Sequence, residues 1–405
     1  MKLLLCVPAP SFGGHTRSAV SLASELRCRG HSVEFLVGAK LAGKETPALI
    51  EEAGFHIHAL EIRKDGILRR PFEAEVRSLL RACRFEVVHL VGHLRGLPEL
   101  ARACRKEGRS FLWTLPSGGA PKRFEGLNRV AVFTPEVAEE VRRTSPRTVP
   151  HILPARIDFR PLDELAVAGN RSEVRRQFGI PEDALLIVRV ARAHPLYLKS
   201  VRIGIHLAEQ LAAEGRPTFF LHAGYPQEQE VAELIRDLVL RANERAGRRI
   251  AFTESDDVAL GARYMAAADL CIASGRSALE AIGLGRTTLL AWGDGVPGLV
   301  DDVSIATHAD TNFQGRLEPS PIDEGGCLRQ TLAALKARLA DPEEDARIRE
   351  VCARFVRERY SIQGAAVRYE ELYWDRTIRV VSPMGAYLSP SRIGRAISER
   401  VRRGR

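Results

Sequence analysis

The segment Ala273-Ser274-Gly275-Arg276-Ser277-Ala278-Leu279-Glu280-Ala281 joins an apolar run to a helical pattern through a glycine and small hydroxyl residues. Such a passage ends a strand, turns the chain and opens a helix. The first amides of that helix have no partner within it and suit an anionic oxygen. Arg276 would add charge there, and Glu280 could accept hydrogen bonds from the two hydroxyls of a ribose. The spacing Ser277-x-x-Glu280 equally fits a capping box, in which each side chain satisfies the other's backbone N–H. Either role alone accounts for the glutamate.

A second group, Arg189, Arg192 and Lys199, surrounds the end of the buried-strand pattern Leu185-Leu186-Ile187-Val188. Loops after strands in an open α/β sheet stand at its ligand edge. Arg192 and Lys199 are therefore candidates for neutralising a diphosphate, the arginine by chelating two oxygens and the lysine as a point charge. Their plainer alternative is a charged surface loop. Arg189 falls inside the strand and reads as structural.

Gly13 and Gly14 follow the opening apolar run, where glycine lets backbone approach a ligand. The pattern is not G-x-G-x-x-G, and no acidic residue ends the second strand, so a nicotinamide dinucleotide site is disfavoured. His15 reads first as a helix-opening residue and second as a site group. No Asp-x-Asp, no G-x-S-x-G and no metal-ligand constellation stands out, so no metal and no cofactor beyond a substrate is expected.

These residues need elements to hold them. Leu3 to Pro8 is a continuous apolar run, Ala19, Val20, Leu22, Ala23 and Leu26 recur at helical spacing, and Val33 to Val37 is apolar again. That is a β-α-β unit, with Gly30 placed as a C-cap. The alternation continues through Val87–Val91, Phe111–Trp113 and Val130–Phe133. After the polar segment 161–170 it resumes with Leu185–Val188, a helix over 199–213, Thr218–Ala223, Leu270–Ala273, a helix over 278–284 and Thr288–Ala291. Residues 343–374 read as consecutive helices. Repeated right-handed crossovers give two Rossmann-like doubly wound α/β domains, which would face each other across a cleft.

Length and composition agree. The 405 residues exceed one ordinary core, and 45% hydrophobic with 27% charged residues is a globular balance. The opening apolar stretch is too short for a secretory segment, and no run of about 18 apolar residues exists to span a membrane. Seven scattered cysteines read as buried thiols of a reducing compartment. The net charge of +9 is uneven: +7 over residues 1–165, −3 over 166–388 and +5 over 389–405. A basic N-terminal half and a basic tail suit an anionic membrane surface or simply an arginine-rich composition. Nucleic acid is disfavoured, because aromatics make up 6% and do not interleave with the basic residues.

From residue 2 to 374 the chain resembles the GT4-type glycosyltransferases of the GT-B class. The resemblance rests on Gly13-Gly14 with Leu26-x-x-x-Gly30-His31-x-Val33, on Phe85-Glu86-Val87-Val88-His89, on Leu153-Pro154-Ala155-Arg156-Ile157-Asp158, on His222-Ala223-Gly224-Tyr225-Pro226, and on Leu279-Glu280-Ala281-Ile282-x-x-Gly285. It implies an acceptor-side domain over 1–160, a linker over 161–170 and a nucleotide-sugar donor domain over 171–360. A helix over 361–380 would cross back to the first domain, and 381–405 is a basic tail.

The resemblance also implies donor contacts from Arg192 and Lys199 to the diphosphate and from Glu280 to the ribose. Gly13, Gly14, Gly224, Ser274, Gly275, Arg276 and Ser277 complete the donor-binding set. The expected partners are a nucleotide sugar and a glycan, lipid-linked or small-molecule acceptor, with the protein in the cytoplasm or peripheral at the inner membrane face. Relatives act mostly in cell-envelope polysaccharide synthesis.

Three departures stand out. The gap from Arg192 to Lys199 is seven positions, longer than the family's usual spacing. Ile272 stands eight positions before Glu280, where the family carries a first glutamate. Thr114-Leu115-Pro116-Ser117 replaces a segment that carries a histidine in the family. The reading is a retaining, metal-independent sugar transfer with no assigned catalytic residue. Its alternatives are an inactive GT-B protein that binds nucleotide or glycan, and a nucleotide-sugar epimerase on the same fold.

Overall fold

The computed structural model describes residues 1–7, 13–38, 45–60, 70–92, 97–116, 127, 129–154, 156–167, 169–247, 249–254, 258–293, 295–315 and 324–375. The basic tail and Ser117 lie outside them. The chain divides into two compact units, Met1–Leu153 with Val367–Arg405, and Pro154–Ala366.

Unit 1 opens with β1 (Lys2–Val7), α1 (Gly14–Cys28), β2 (Ser32–Gly38), α2 (Glu45–Glu52), β3 (Ile57–Leu60) and α3 (Arg70–Cys83). It continues with β4 (Val87–Val91), α4 (Leu97–Lys106), β5 (Ser110–Leu115), β6 (Arg129–Val132), α5 (Pro135–Thr144) and β7 (Val149–Ile152). The strands form one sheet in the order β3-β2-β1-β4-β5-β6-β7, and every neighbouring pair is parallel. Central strands carry the long apolar runs because helices cover both of their faces. The outermost strands β3 and β7 have almost no fully buried residue, which is why no apolar run announces them.

Unit 2 begins with α6 (Arg160–Val167), α7 (Asn170–Phe178), β8 (Leu185–Val190), α8 (Pro195–Ala213), β9 (Thr218–Gly224) and α9 (Gln229–Ala246). Next come β10 (Ile250–Glu254), α10 (Val258–Ala267), β11 (Leu270–Ala273), α11 (Arg276–Gly283), β12 (Thr287–Trp292) and β13 (Gly295–Leu299). The helices α12 (Ile305–Asp310), α13 (Glu324–Ala340), α14 (Pro342–Tyr360) and α15 (Ile362–Trp374) complete the chain. Its sheet runs β10-β9-β8-β11-β12-β13, parallel except for β13 against β12.

Two segments differ from the sequence reading. Residues 161–170, read as a linker, hold most of α6 and the start of α7. Pro161 is tolerated in the first turn, and Leu162 is buried. α8 starts four residues before Lys199, because the His194 ring accepts the Leu196 N–H (3.2 Å) and Pro195 occupies the first helical position.

The last helix begins in unit 2 and ends in unit 1. Its unit 1 portion docks through buried polar groups. His89 Nδ1 lies 2.6 Å from the Tyr373 hydroxyl, and His89 Nε2 lies 2.7 Å from Thr114 Oγ1. Thr114 meets the Tyr369 hydroxyl at 3.0 Å. On the rim Glu370 accepts from Arg29 (2.6 Å) and pairs with His31.

Candidate functional site

In the unit 2 sheet the chain order reverses between β8 and β11: β9 and β10 lie on one side of β8, and β11 and β12 on the other. A doubly wound sheet has its crevice at the carboxyl ends of such a pair of strands. Ile272 pairs with Arg189, so the loop after β8 and the turn after β11 leave the sheet side by side.

Arg189 is the brace beneath this edge. Its guanidinium is fully buried and donates to Ser200 Oγ (2.8 Å), the Val190 carbonyl (3.1 Å) and the Ile272 carbonyl (3.2 Å). Its charge faces the Tyr197 ring at 5.2 Å. Burial lowers its pKa to about 10. Next to it on β9, the buried His222 donates from Nδ1 to the Arg189 carbonyl (3.1 Å) and stacks on Phe252. Burial first, and the Arg189 charge second, lower the His222 pKa to about 3, so the ring is neutral.

Arg192 stands three residues further on, half-buried in the loop, with its charge 5.9 Å from the same Tyr197 ring. Burial pulls its pKa down, but Tyr197 and Tyr225 together outweigh that and raise it. Lys199, also half-buried, sits in α8 next to the bracing Ser200. Gly224 ends β9 against this loop. A Cβ there would fall 1.7 Å from the Ala191 carbonyl oxygen, so glycine is needed to seat the loop that carries Arg192. Tyr197, two residues before Lys199, was not singled out from the sequence, and Tyr225 entered only as part of the His222–Pro226 motif.

On the β11 side Gly275 has φ 57°, a conformation that favours glycine, and its N–H donates to the Phe313 carbonyl (2.7 Å). Gly275 is the N-cap of α11 and contributes no side-chain cap. Ser277 is the second helical residue. Its hydroxyl donates to the Ser274 carbonyl (3.0 Å) and accepts the Ser274 N–H (3.3 Å), so it ties the turn and is not the N-cap of a capping box. Glu280 is buried and accepts from Arg276 Nε at 2.8 Å, while Arg276 Nη1 donates to the Arg156 carbonyl (2.8 Å). The fold thus gathers Arg192, Lys199, Gly224 and residues 274–277 at one sheet edge. It leaves the Arg276 and Glu280 side chains held to each other.

Unit 1 has its own reversal, between β1 and β4. Gly13 is the N-cap of α1 in extended backbone that any residue adopts, and a Cβ on it would meet the His15 ring at 3.3 Å. Gly92, just past β4 with φ 112°, would bring a Cβ 3.7 Å from the same ring. His15 therefore sits between the ends of the two central strands, while Gly14 is exposed. A cavity of about 220 Å³ in unit 2, lined by Arg171, Asp269, Arg286, Asp345 and Arg349, opens at the amino ends of β8, β11 and β12. It is at the opposite edge from Arg192 and has no part in this site.

No protein-family profile and no curated protein sequence matches the chain. Solved structures do. A glycosyltransferase from Rickettsia africae superposes with a TM-score of 0.71 at 14% identity, over 93% of this chain and 98% of that one. HepE of Anabaena, in complex with UDP and glucose, gives 0.67 at 15% over 93% and 100%. Sucrose-phosphate synthase of Thermosynechococcus elongatus gives 0.64 at 17% over 92% and 98%. The fold is GT-B. At such identities the likeness establishes the GT-B architecture, and chemistry has to be argued from the residues. Among the described residues no helix is long and apolar enough to cross a membrane.

Proposed function

We propose that this GT-B protein is a glycosyltransferase that takes a sugar from a nucleotide-diphosphate donor held by unit 2 and passes it to a glycan, lipid or small-molecule acceptor. The observation that carries the reading is the convergence of Arg192 and the α11 N-terminus, which lacks a side-chain cap, at the reversal between β8 and β11. A departing diphosphate accumulates negative charge, and a fixed arginine with helix amides would stabilise it without reorganisation. Lys199 would add a point charge from α8. Glu280 would reach the ribose through a carboxylate that Arg276 already orients. The GT4-like motifs support a retaining, metal-independent transfer and a place in cell-envelope polysaccharide synthesis.

Thermal unfolding with UDP, GDP and ADP tests the donor site. One of the three should raise the midpoint, because a ligand at a hundred times its dissociation constant adds about 2.7 kcal/mol. No shift with any of them removes the reading. Release of free sugar from the matching nucleotide sugar, without acceptor, then tests turnover.

A second reading is a nucleotide-binding GT-B protein without transfer. Ile272 is buried where relatives carry a glutamate, and the Arg276–Glu280 pair occupies the remaining one. Nucleotide stabilisation with neither donor hydrolysis nor transfer to any acceptor would favour it.

A further inference from the structure

At one edge of the unit 1 sheet, β3 runs parallel to β2 with Leu36 opposite His58. The Phe35 N–H donates to the His56 carbonyl (2.9 Å), which extends the pairing back to His56. Side chains two residues apart on a strand share a face. His56 and His58 therefore project together, with Glu34 of β2 beside them. One nitrogen of each imidazole and one oxygen of the carboxylate all lie within 4.8 Å of one another. His58 Nε2 is 2.6 Å from Glu34 Oε2, and the two imidazole rings meet edge to face with centroids 4.6 Å apart.

Two imidazoles and a carboxylate form the donor set of a Zn²⁺-class ion, with a fourth position left to water. Ca²⁺ and Mg²⁺ prefer oxygen donors throughout. We propose that Glu34, His56 and His58 bind a divalent transition-metal ion of the Zn²⁺ class, which staples the edge strand β3 to β2. The ion takes the place of the hydrogen bond between His58 Nε2 and Glu34 Oε2. Burial tends to raise the Glu34 pKa, but Lys2 and His58 outweigh it and keep the carboxylate ionised. Lys2 Nζ, 2.7 Å from Glu34 Oε1, is the one competing cation among the described residues that pair with this carboxylate. The site stands at the amino end of β3, away from the carboxyl ends of β1 and β4 and so apart from the crevice of this sheet.

The test uses the full chain carrying Cys28→Ser, which removes an exposed thiol that could take the same ion. After chelator treatment it is titrated with ZnCl₂ by calorimetry, and its unfolding midpoint is measured with and without Zn²⁺. One equivalent should bind and raise the midpoint. His56→Ala alters an exposed side chain and should leave the metal-free midpoint unchanged, yet weaken Zn²⁺ at least tenfold and abolish the rise. Glu34→Gln should weaken binding as well, and Lys2→Met should tighten it by freeing the carboxylate. The proposal is overturned if no equivalent binds, or if His56→Ala and Glu34→Gln bind Zn²⁺ as tightly as their parent.

Discussion

Arg189 and Arg192 stand three residues apart and meet opposite surroundings. The first is sealed under Tyr197 and spends its donors on β8, β11 and α8. The second leaves the strand and keeps its charge at the edge of the sheet. Replacing Arg192 with alanine should leave the ligand-free unfolding midpoint nearly unchanged and weaken nucleotide diphosphate at least tenfold, or about 1.4 kcal/mol, by calorimetry. Gly224→Ala should act on the same binding from behind. Its methyl group must displace the Ala191 backbone, at a cost of about 1–3 kcal/mol in urea denaturation together with lost nucleotide affinity.

His222 gives a pH signature. Its folded pKa, about 3, lies below that of an exposed histidine near 6.5, so between these values the unfolded chain binds a proton that the folded chain does not. Its contribution is complete above about pH 6.5 and is lost as pH falls toward 3, by up to about 1.4 kcal/mol per pH unit. His222→Gln should flatten the dependence of stability on pH between about 4 and 6. An unchanged slope would place the acid sensitivity elsewhere.

Among the elements, α15 shows most clearly how a helix is fixed by what it meets. Tyr369 and Tyr373 are four residues apart, so one face of the helix sets both hydroxyls against the buried His89 of β4 and Thr114 of β5. Tyr373→Phe deletes the 2.6 Å bond to a fully buried imidazole and should cost about 1–3 kcal/mol in chemical denaturation. A loss below a few tenths would show that the bond is matched by water in the unfolded chain. α11 works differently. Gly275 turns the chain and Ser277 locks the turn, so the helix meets solvent or ligand with no side chain capping its start.

At the scale of the molecule, each unit has a sheet, parallel but for β13, whose strand order reverses at β1–β4 or β8–β11, with a glycine-bearing loop just past the reversal. The charge distribution adds a separate expectation. Residues 389–405 carry six arginines and one glutamate, and each basic residue near an anionic bilayer is worth about 1 kcal/mol. Deleting them should weaken cosedimentation with anionic vesicles while leaving nucleotide binding intact. Unchanged cosedimentation would retire the membrane role.

The apolar periodicities were enough to specify the central strands, the crossover helices and hence the doubly wound class, because burial on both faces writes itself into every residue of a run. Edge strands β3 and β7 escaped, since they are covered on few sides, and α6 passed for a linker because it is only eight residues long with a proline in its first turn. The sequence also named the residues now found at the β8–β11 edge. It left the duty of each open. Whether Glu280 meets Arg276, whether Ser277 caps a helix or ties a turn, and whether Glu34 meets His56 and His58 depend on side chains brought together by strand register and turn geometry. Glu34 meets histidines 22 and 24 positions away on another strand, which no local pattern records, whereas the i,i+4 spacing of Arg276 and Glu280 is local but becomes a contact only because α11 starts at Arg276.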